Sequence, residues 1–254
     1  MKLLTLNCQH GDQSLLKDFL SRTLNAEEYD FLLLQEVNEK VMAFLKNPAY
    51  EVVRPFNGEI GQSSQLCIAY RKHYLSKGTG FRSFASMRKD PVRGFKHPCF
   101  GIFYMDFEID KKIWRIATTH LHSGMDSNIR IAESRLAKEV LLTAAPEFIM
   151  IAGDFNAGLP YERGRIAQLF SPELAWGTKT LGPTLDSRYS ENVAHFPNRI
   201  AALLRIFHVG IQLRTDHIFV NRRIMSDYAI QCHVLPDRVS DHSPVEFTVE
   251  NMNR

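Results

Sequence analysis

Six short apolar runs in this sequence each carry, at one end, a polar residue of a type that does chemistry. The run that ends at Ala152 is followed by Gly153 and then by Asp154 and Asn156. The other five runs contribute Asn7, Gln35 with Glu36, His120 with His122, Asp216, and Asp241 with His242. Carboxylate and amide oxygens suit a hard cation such as Mg²⁺. They fit zinc poorly, because no thiolate joins them.

Such a set can hydrolyse a phosphate ester. The cation would hold and polarise a phosphate oxygen and stabilise the leaving oxygen. A carboxylate would orient or deprotonate a water, and a histidine would serve as a base or as a clamp on the phosphate. An aspartate bonded to that histidine would fix its tautomer and raise its basicity. Side chains alternate along a strand, so Asp154 and Asn156 are expected to point the same way while Phe155 anchors the core.

Each of these residues also has a structural interpretation. An Asn or Asp beside a strand is usually a turn residue or a helix cap, which is the better reading of Asn7 or Asp216 taken alone. A lone histidine at a strand end is more often a core residue, as we interpret His122 and His217. Glu36 precedes a predicted helix, whose dipole it would complement. The polar residues at all six strand ends would not all be needed as caps. Because packed sheets bring strand ends together, we expect these residues to form a catalytic site.

The elements that must position these residues are mostly short strands with some alternation of apolar and polar residues. Strands are predicted at residues 3–6, 31–34, 50–53, 66–70, 101–108, 114–119, 148–152, 218–220, 228–234 and 245–249. Amphipathic helices are predicted at residues 12–25 and 127–145, the second with Ser127 as N-cap and Pro146 as its stop. Residues 79–98 and 157–199 are predicted to be long, functional loops.

The composition fits one globular domain over residues 1–254, with packed sheets and helices outside. The chain is 44% hydrophobic and 23% charged, and its net charge of +3 permits an anionic substrate without demanding one. Its four cysteines form no CxxC pair, which favours reduced thiols in a cytoplasmic protein. No run approaches the roughly 20 apolar residues of a membrane span.

The motifs LTLN, LLQEV, TTHLH, GDFNA, TDHIFV and SDHSP, in this order, resemble those of the endonuclease/exonuclease/phosphatase superfamily, the deoxyribonuclease I-like phosphoesterases. The resemblance runs from Leu3 to about Val249. It implies an α/β (α+β) fold of four layers, in which two mixed β-sheets pack face to face with helices outside. It also implies a Mg²⁺ cofactor, for which Mn²⁺ substitutes, and a phosphate-ester substrate that is a small molecule or a nucleic acid.

The resemblance also assigns the metal site. Asn7 and Glu36 match the metal-binding pair, with Glu36 as the main Mg²⁺ ligand. Asp241 opens the terminal Asp-His pair and is grouped with these ligands.

The resemblance assigns the catalytic residues as well. His120 matches a histidine that contacts the scissile phosphate. Asp154 matches the aspartate that positions or activates the water, and Asn156 is its neighbouring amide, which would hold the phosphate or a metal-bound oxygen. Asp216 matches the aspartate that orients His242.

The segment GPTLDSRYSENV belongs to none of the family motifs. Within it, Thr184, Asp186 and Asn192 either bind substrate or are turn residues. The modest charge favours a small phosphoester, and a DNA endo- or exonuclease is the alternative. A non-catalytic binding module on the same fold is disfavoured, because Glu36 and Asp154 are both present.

Overall fold

The computed structural model of the protein describes residues 1–8, 13–55, 65–84, 101–123, 126–186 and 212–252. Within these ranges the strands are β1 Lys2–Asn7, β2 Phe31–Gln35, β3 Tyr50–Val53, β4 Cys67–Arg71, β5 Leu75–Ser83, β6 Gly101–Ile109, β7 Lys112–His120, β8 Phe148–Asp154, β9 Leu174–Trp176, β10 Leu185–Asp186, β11 Gln212–Leu213, β12 Asp216–Asn221, β13 Tyr228–Val234 and β14 Val245–Asn251. The helices are α1 Gln13–Ala26, α2 Glu39–Phe44, α3 Ser127–Leu142, α4 Pro160–Phe170 and α5 Arg222–Asp227.

Two six-stranded mixed sheets form the centre of the fold. Sheet 1 has the order β13-β14-β1-β2-β4-β3, and sheet 2 has the order β5-β6-β7-β8-β12-β9. Each sheet contains one parallel pair, β1 with β2 and β7 with β8, among antiparallel neighbours. A third, two-stranded sheet pairs β10 with β11.

Three apolar clusters join these elements into four layers. The central cluster packs the facing sides of the two sheets, with Leu33 from sheet 1 and Ile116 from sheet 2 among its members. A second cluster packs α1 on the outer face of sheet 1, and a third packs α3 and α4 on the outer face of sheet 2. The predicted four-layered sandwich is therefore confirmed.

The alternation of side chains places the polar strand ends between the two sheets. Leu3 and Leu33 belong to the central cluster, whereas Leu4 and Leu34 belong to the cluster beneath α1. Counting on in steps of two, the facing side reaches Asn7 on β1 and, from Ile116, His120 on β7. The apolar layer between the sheets thus ends in polar residues at one edge.

Helix α3 begins at the predicted residue but has a different N-cap and ends earlier than predicted. Its N-cap is Asp126, whose carboxylate accepts from the N–H of Asn128 at 2.8 Å, so Ser127 is the first helical residue and the predicted cap was wrong by one position. The helix ends at Leu142, before Pro146. Arg115, buried on β7, explains the early stop, because its guanidinium donates to the carbonyls of Val140, Leu141 and Thr143.

The segments predicted as loops contain regular structure. Helix α4 and strand β9 lie within residues 157–199, and β5 extends to residue 83, inside the segment 79–98. Residues 85–98 and 187–199 of those segments lie outside the described part of the chain. Among the helices described, none combines the length and apolar character of a membrane crossing. The described cysteines Cys8, Cys67 and Cys232 are free thiols, as predicted.

Candidate active site

Sheet register sets three site residues side by side on sheet 2. β7 and β8 pair in parallel, so that His120 is opposite Asp154, and β12 pairs with β8 so that Asp216 is opposite Asp154 on the other side. All three side chains are at most 2% exposed. The three predicted strand-end residues are therefore neighbours because of pairing alone.

Sheet 1 contributes Asn7 and Glu36 to the same place. Asn7 is opposite Gln35 in the β1–β2 pair, and Glu36 follows with a left-handed φ of +57°. This bend ends the strand and lets the carboxylate of Glu36 lie 3.6 Å from His120 Nε2, which belongs to the other sheet. A non-glycine residue in this conformation costs free energy, so the surrounding contacts must hold it there.

The Asp216–His242 dyad predicted from the sequence is present. His242 Nδ1 lies 2.8 Å from Asp216 Oδ2, and His242 Nε2 lies 3.7 Å from Asp154 Oδ2. Burial would lower the pKa of His242, but the charges of Asp216 and Asp154 outweigh it and hold that pKa well above its usual value. Burial would raise the pKa of Asp216, but its bond to charged His242 keeps it low. Both shifts favour an imidazolium paired with a carboxylate.

Asp241 and His242 lie on a loop that Ser240 fixes to sheet 1. The Ser240 hydroxyl is within hydrogen-bond distance of the carbonyl of Asn7, at 2.8 Å, and of the carbonyl and N–H of His242. Asp241 is 5% exposed, and its Oδ1 has no hydrogen-bond partner among the described residues. A buried carboxylate oxygen in that condition is one that a cation or a ligand would satisfy.

Two further carboxylates of the site are disfavoured as anions. Burial raises the pKa of Glu36 to about 8 against a hydrogen bond from Asn7, and the charge of Asp154 adds to the rise. Burial likewise raises the pKa of Asp154 to about 7, although the charge of His242 opposes it. A cation bound beside them would favour their ionised forms.

These observations fit a divalent cation of the hard, oxygen-binding type. Asn7, Glu36 and Asp241 offer oxygen ligands, and cysteine is not among them. A second group, Asp154 with Asp216 and His242, has ligand atoms within 4.8 Å of one another. That group already balances its charge through the Asp216–His242 ion pair, so the sheet 1 residues are the better candidates for the metal.

Asn156 departs from the arrangement expected of it. Strand β8 ends at Asp154, and Asn156 has a φ of +50°, so the strand alternation does not extend to it. Its Nδ2 donates to the carbonyl of Leu121 at 2.8 Å, and its backbone N–H donates to Asp154 Oδ1. Phe155 anchors the core as predicted, being fully buried against Phe219. Asn156 thereby holds Asp154 and the end of β7 in place.

Gly153 permits the close approach of β8 to β7. Its φ is +151°, and a Cβ there would lie 2.1 Å from the carbonyl oxygen of Thr119. No other residue fits at this position without moving β7, which carries His120.

The three residues singled out in the unassigned segment have different outcomes. Thr184 is fully buried, and its hydroxyl accepts from the backbone N–H groups of Thr215 and Asp216, both at 3.1 Å. Its carbonyl accepts from Ser243, at 2.7 Å, so it supports both members of the dyad. Asp186 is placed on β10, and Asn192 lies outside the described residues.

Sequence reasoning missed a buried ionic group that holds the backbone of His122. Glu133 on α3 accepts from the N–H of His122 at 2.7 Å, Arg130 donates to the carbonyl of the same residue at 3.3 Å, and Arg130 pairs with Glu162 on α4. The signal that was available is the pair of opposite charges at i and i+3, and the structure places both on the buried face of α3. His217 is a buried core residue, as interpreted: burial lowers its pKa to about 3.

The fold and this cluster define a class of protein: a two-sheet α/β sandwich with carboxylates, an amide and histidines gathered where the strands of both sheets end. The sequence profile of the Endonuclease/Exonuclease/phosphatase family matches residues 4–242. The chain belongs to this family, and it is an enzyme of the phosphoesterase class. The comparison with curated proteins gives no match.

Several solved structures share the fold. D. rerio TDP2 complexed with a single-strand DNA product has a TM-score of 0.71 and 16% identity, over 98% of each chain. A mannosyl-6-phosphatase of Bacteroides thetaiotaomicron has a TM-score of 0.70 and 15% identity, over 98% of this chain and 99% of that chain. An endonuclease/exonuclease/phosphatase from Bacteroides vulgatus has a TM-score of 0.69 and 18% identity, over 98% of each chain. At these identities the likeness concerns the fold alone.

Proposed function

We propose that this protein hydrolyses a small phosphoester with a Mg²⁺ ion held by Asn7, Glu36 and Asp241. The observation that carries this proposal is the position of the Asp216–His242 ion pair, whose Nε2 faces Asp154 at 3.7 Å. A cationic imidazole next to a carboxylate of pKa about 7 provides a clamp for an anionic phosphate beside a base for water.

The cation, when bound, would polarise a phosphate oxygen and stabilise charge on the leaving oxygen. Asp154 Oδ1 accepts from the N–H of Asn156 and Oδ2 accepts from Nδ2 of Asn7, which leaves each oxygen a further lone pair. Oδ2 is the atom that would orient the attacking water and accept its proton. His120 Nε2 and His242 Nε2 both face that oxygen, at 3.5 and 3.7 Å. Both imidazoles are therefore placed to contact the phosphate that the water attacks.

Asp216 would keep His242 in one orientation and charged throughout. Its hydrogen bond to Nδ1 leaves Nε2 as the group that faces the substrate, and its negative charge stabilises the imidazolium. His242 would therefore bind phosphate as a cation, and Asp154 would be the base.

The described arginines favour a small substrate over extended DNA. Three of the six arginines between residues 188 and 223 are described, and each already has a structural contact. Arg214 donates to the carbonyls of Thr178, Lys179 and Leu181, Arg222 donates to the carbonyl of Pro172, and Arg223 lies over the ring of Phe148. They form no free basic stripe that would follow a nucleic-acid backbone.

A DNA nuclease is the second candidate, because D. rerio TDP2 with its DNA product shares the fold across nearly the whole chain. Turnover of sugar phosphates, sphingomyelin, abasic-site DNA and plain duplex DNA is compared across a salt series at constant Mg²⁺. Binding to duplex DNA falls with log salt at a slope of about −0.9 per phosphate contacted, whereas a small phosphoester gives a shallow slope. The inactive control is Asp154→Asn.

We expect turnover of at least one small phosphoester with little dependence on salt. Tight duplex binding with a slope that implies about five or more phosphate contacts, and no turnover of small phosphoesters, would make the protein a nuclease instead. Full activity after exhaustive chelation would contradict the proposed requirement for Mg²⁺.

A further inference from the structure

The side chain of Gln35 is fully buried between the two sheets, one residue before Glu36. Its Nε2 lies 2.8 Å from Thr118 Oγ1 on β7, 3.0 Å from the carbonyl of Leu33 and 3.1 Å from Thr5 Oγ1 on β1. One amide thus connects the strand that leads to Glu36 with a strand of the opposite sheet.

These contacts lie one step below the site. Thr5 precedes Asn7 by two residues, and Thr118 precedes His120 by two residues, so each threonine shares a face with its site residue. Both threonines are fully buried. Gln35 and the two threonines therefore form a polar layer between the apolar core and the site.

The hydrogen-bonding capacity of the Gln35 amide is only partly used, which is unusual for a buried group whose role is to stabilise the fold. Its Oε1 has no hydrogen-bond partner among the described residues. The carbonyl of Leu33 can only accept a hydrogen bond, which fixes the orientation of the amide with Nε2 toward it. A buried acceptor without a partner lowers stability, which offsets part of what the Nε2 contacts to the two threonines contribute.

The proposed site is divided between the sheets that Gln35 connects. Asn7, Glu36 and Asp241 belong to sheet 1 or to the loop tied to it, whereas His120 and Asp154 belong to sheet 2. The metal and the attacked phosphate would thus be held from opposite sheets. Their alignment depends on how the sheets are offset at this edge.

We propose that Gln35 is a positioning residue that sets this offset and so aligns the two halves of the site; the inference rests on the proposed function. Its direct readout is the separation of Asn7 Nδ2 from Asp154 Oδ2, which is 3.0 Å across the sheets.

The test uses Gln35→Met, which keeps an unbranched side chain and removes the amide. We expect kcat to fall about 10- to 100-fold, as for a misplacement of about 1 Å. Calorimetry should give an unchanged Mg²⁺ affinity, because all three proposed ligands stay on one side. The protein should stay folded with at most a small fall in the thermal midpoint, because Thr5 and Thr118 lose a donor while the unpaired Oε1 is removed. A crystal structure of the variant should show a longer Asn7–Asp154 separation.

Two further variants separate positioning from general packing. Thr118→Val removes the same contact from sheet 2, so it should lower kcat similarly, and the double variant should be little worse than either single one. Trp114→Phe is the matched control. Trp114 lies on β7, four residues before Thr118, in the apolar cluster between the sheets, and its buried Nε1 has no partner among the described residues. Its kcat should equal that of the wild type.

An unchanged kcat together with an unchanged Asn7–Asp154 separation in Gln35→Met and Thr118→Val would overturn the inference while leaving the reaction class intact. A fall in the thermal midpoint with unchanged kcat would also overturn it, since Gln35 would then be structural. Failure of the wild-type protein to turn over any phosphoester would refute the proposed function instead, and the separation in the variant crystals would still report on Gln35.

Discussion

The amide of Asn7 joins two carboxylates from opposite sheets: its Nδ2 lies 3.0 Å from Asp154 Oδ2 and 3.1 Å from Glu36 Oε1. Both carboxylates have raised pKa values because of burial, and these hydrogen bonds oppose the rise in each. The amide therefore lies at the boundary between the proposed metal side and the proposed water side of the site. We therefore predict that mutations of the two carboxylates have different effects, one on Mg²⁺ binding and the other on turnover.

Glu36→Gln should lose Mg²⁺ affinity, whereas Asp154→Asn should keep the metal and lose turnover. The first variant replaces a proposed Mg²⁺ ligand. Its Mg²⁺ affinity should fall by more than the roughly 10–100-fold that loss of an outer-shell partner costs. The second removes the base, which costs about 10²–10⁴-fold in kcat. Calorimetry of Mg²⁺ binding and steady-state kinetics measure the two effects. Equal Mg²⁺ affinity in Glu36→Gln and the wild type would refute the assignment.

Asp216 and His242 should behave as one catalytic unit. The hydrogen bond between them is 2.8 Å long, so loss of Asp216 releases the imidazole and lowers its charge. We expect the Asp216→Ala/His242→Ala double variant to be little slower than His242→Ala, since effects within a unit are non-additive. Losses in log kcat that simply add would show that the two residues act independently.

Mg²⁺ should stabilise the protein more as the pH rises. The folded-state pKa values of Glu36 and Asp154, about 8 and about 7, are raised above their ordinary values. Their contribution to stability is therefore present in full below about pH 4 and is lost as the pH rises through 7 and 8. A bound cation removes this loss and releases protons. Thermal midpoints from pH 5 to 9, with and without Mg²⁺, should diverge, and parallel curves would contradict the prediction.

Thr184→Val should weaken the Asp216–His242 interaction indirectly, since Thr184 contacts the backbone that holds Asp216. The change leaves the N–H groups of Thr215 and Asp216 without their acceptor, at a cost of about 1–3 kcal/mol, and frees Asp216 to shift. We expect kcat to fall and the pH profile to move, since the pKa of His242 depends on Asp216. Thr184→Ser keeps the hydroxyl and should restore both. Loss of stability with an unchanged pH profile would mean that Thr184 is structural only.

Arg115→Met should destabilise the fold and leave the site intact. Arg115 is 2% exposed, pairs with Asp106 and holds three carbonyls at the end of α3. Removing one partner of a buried pair costs about 3–5 kcal/mol, measured by urea unfolding. The control is Arg71→Met, whose exposed pair with Glu27 contributes about 0–1 kcal/mol. A loss as small as the control's would refute the role of Arg115.

The sequence by itself determined which strands would carry the chemistry. Apolar alternation and a terminal polar residue are local patterns, and they located β1, β2, β7 and β8 to within a few residues of their bounds. The same local pattern failed for β5, whose residues are mostly exposed or half-buried and include two glycines. It failed also for α4, which begins at a proline and contains Gly164.

Only the tertiary structure decided how the strand ends meet. The pairing of Asp154 with His120 on one side and Asp216 on the other follows from sheet register, which joins residues far apart in the chain. The roles of Asn156 and Thr184 as supports also depend on which backbone groups other strands bring to them. Periodicity is set by neighbours in sequence, whereas register and offset are set by packing between sheets, so no local pattern encodes them.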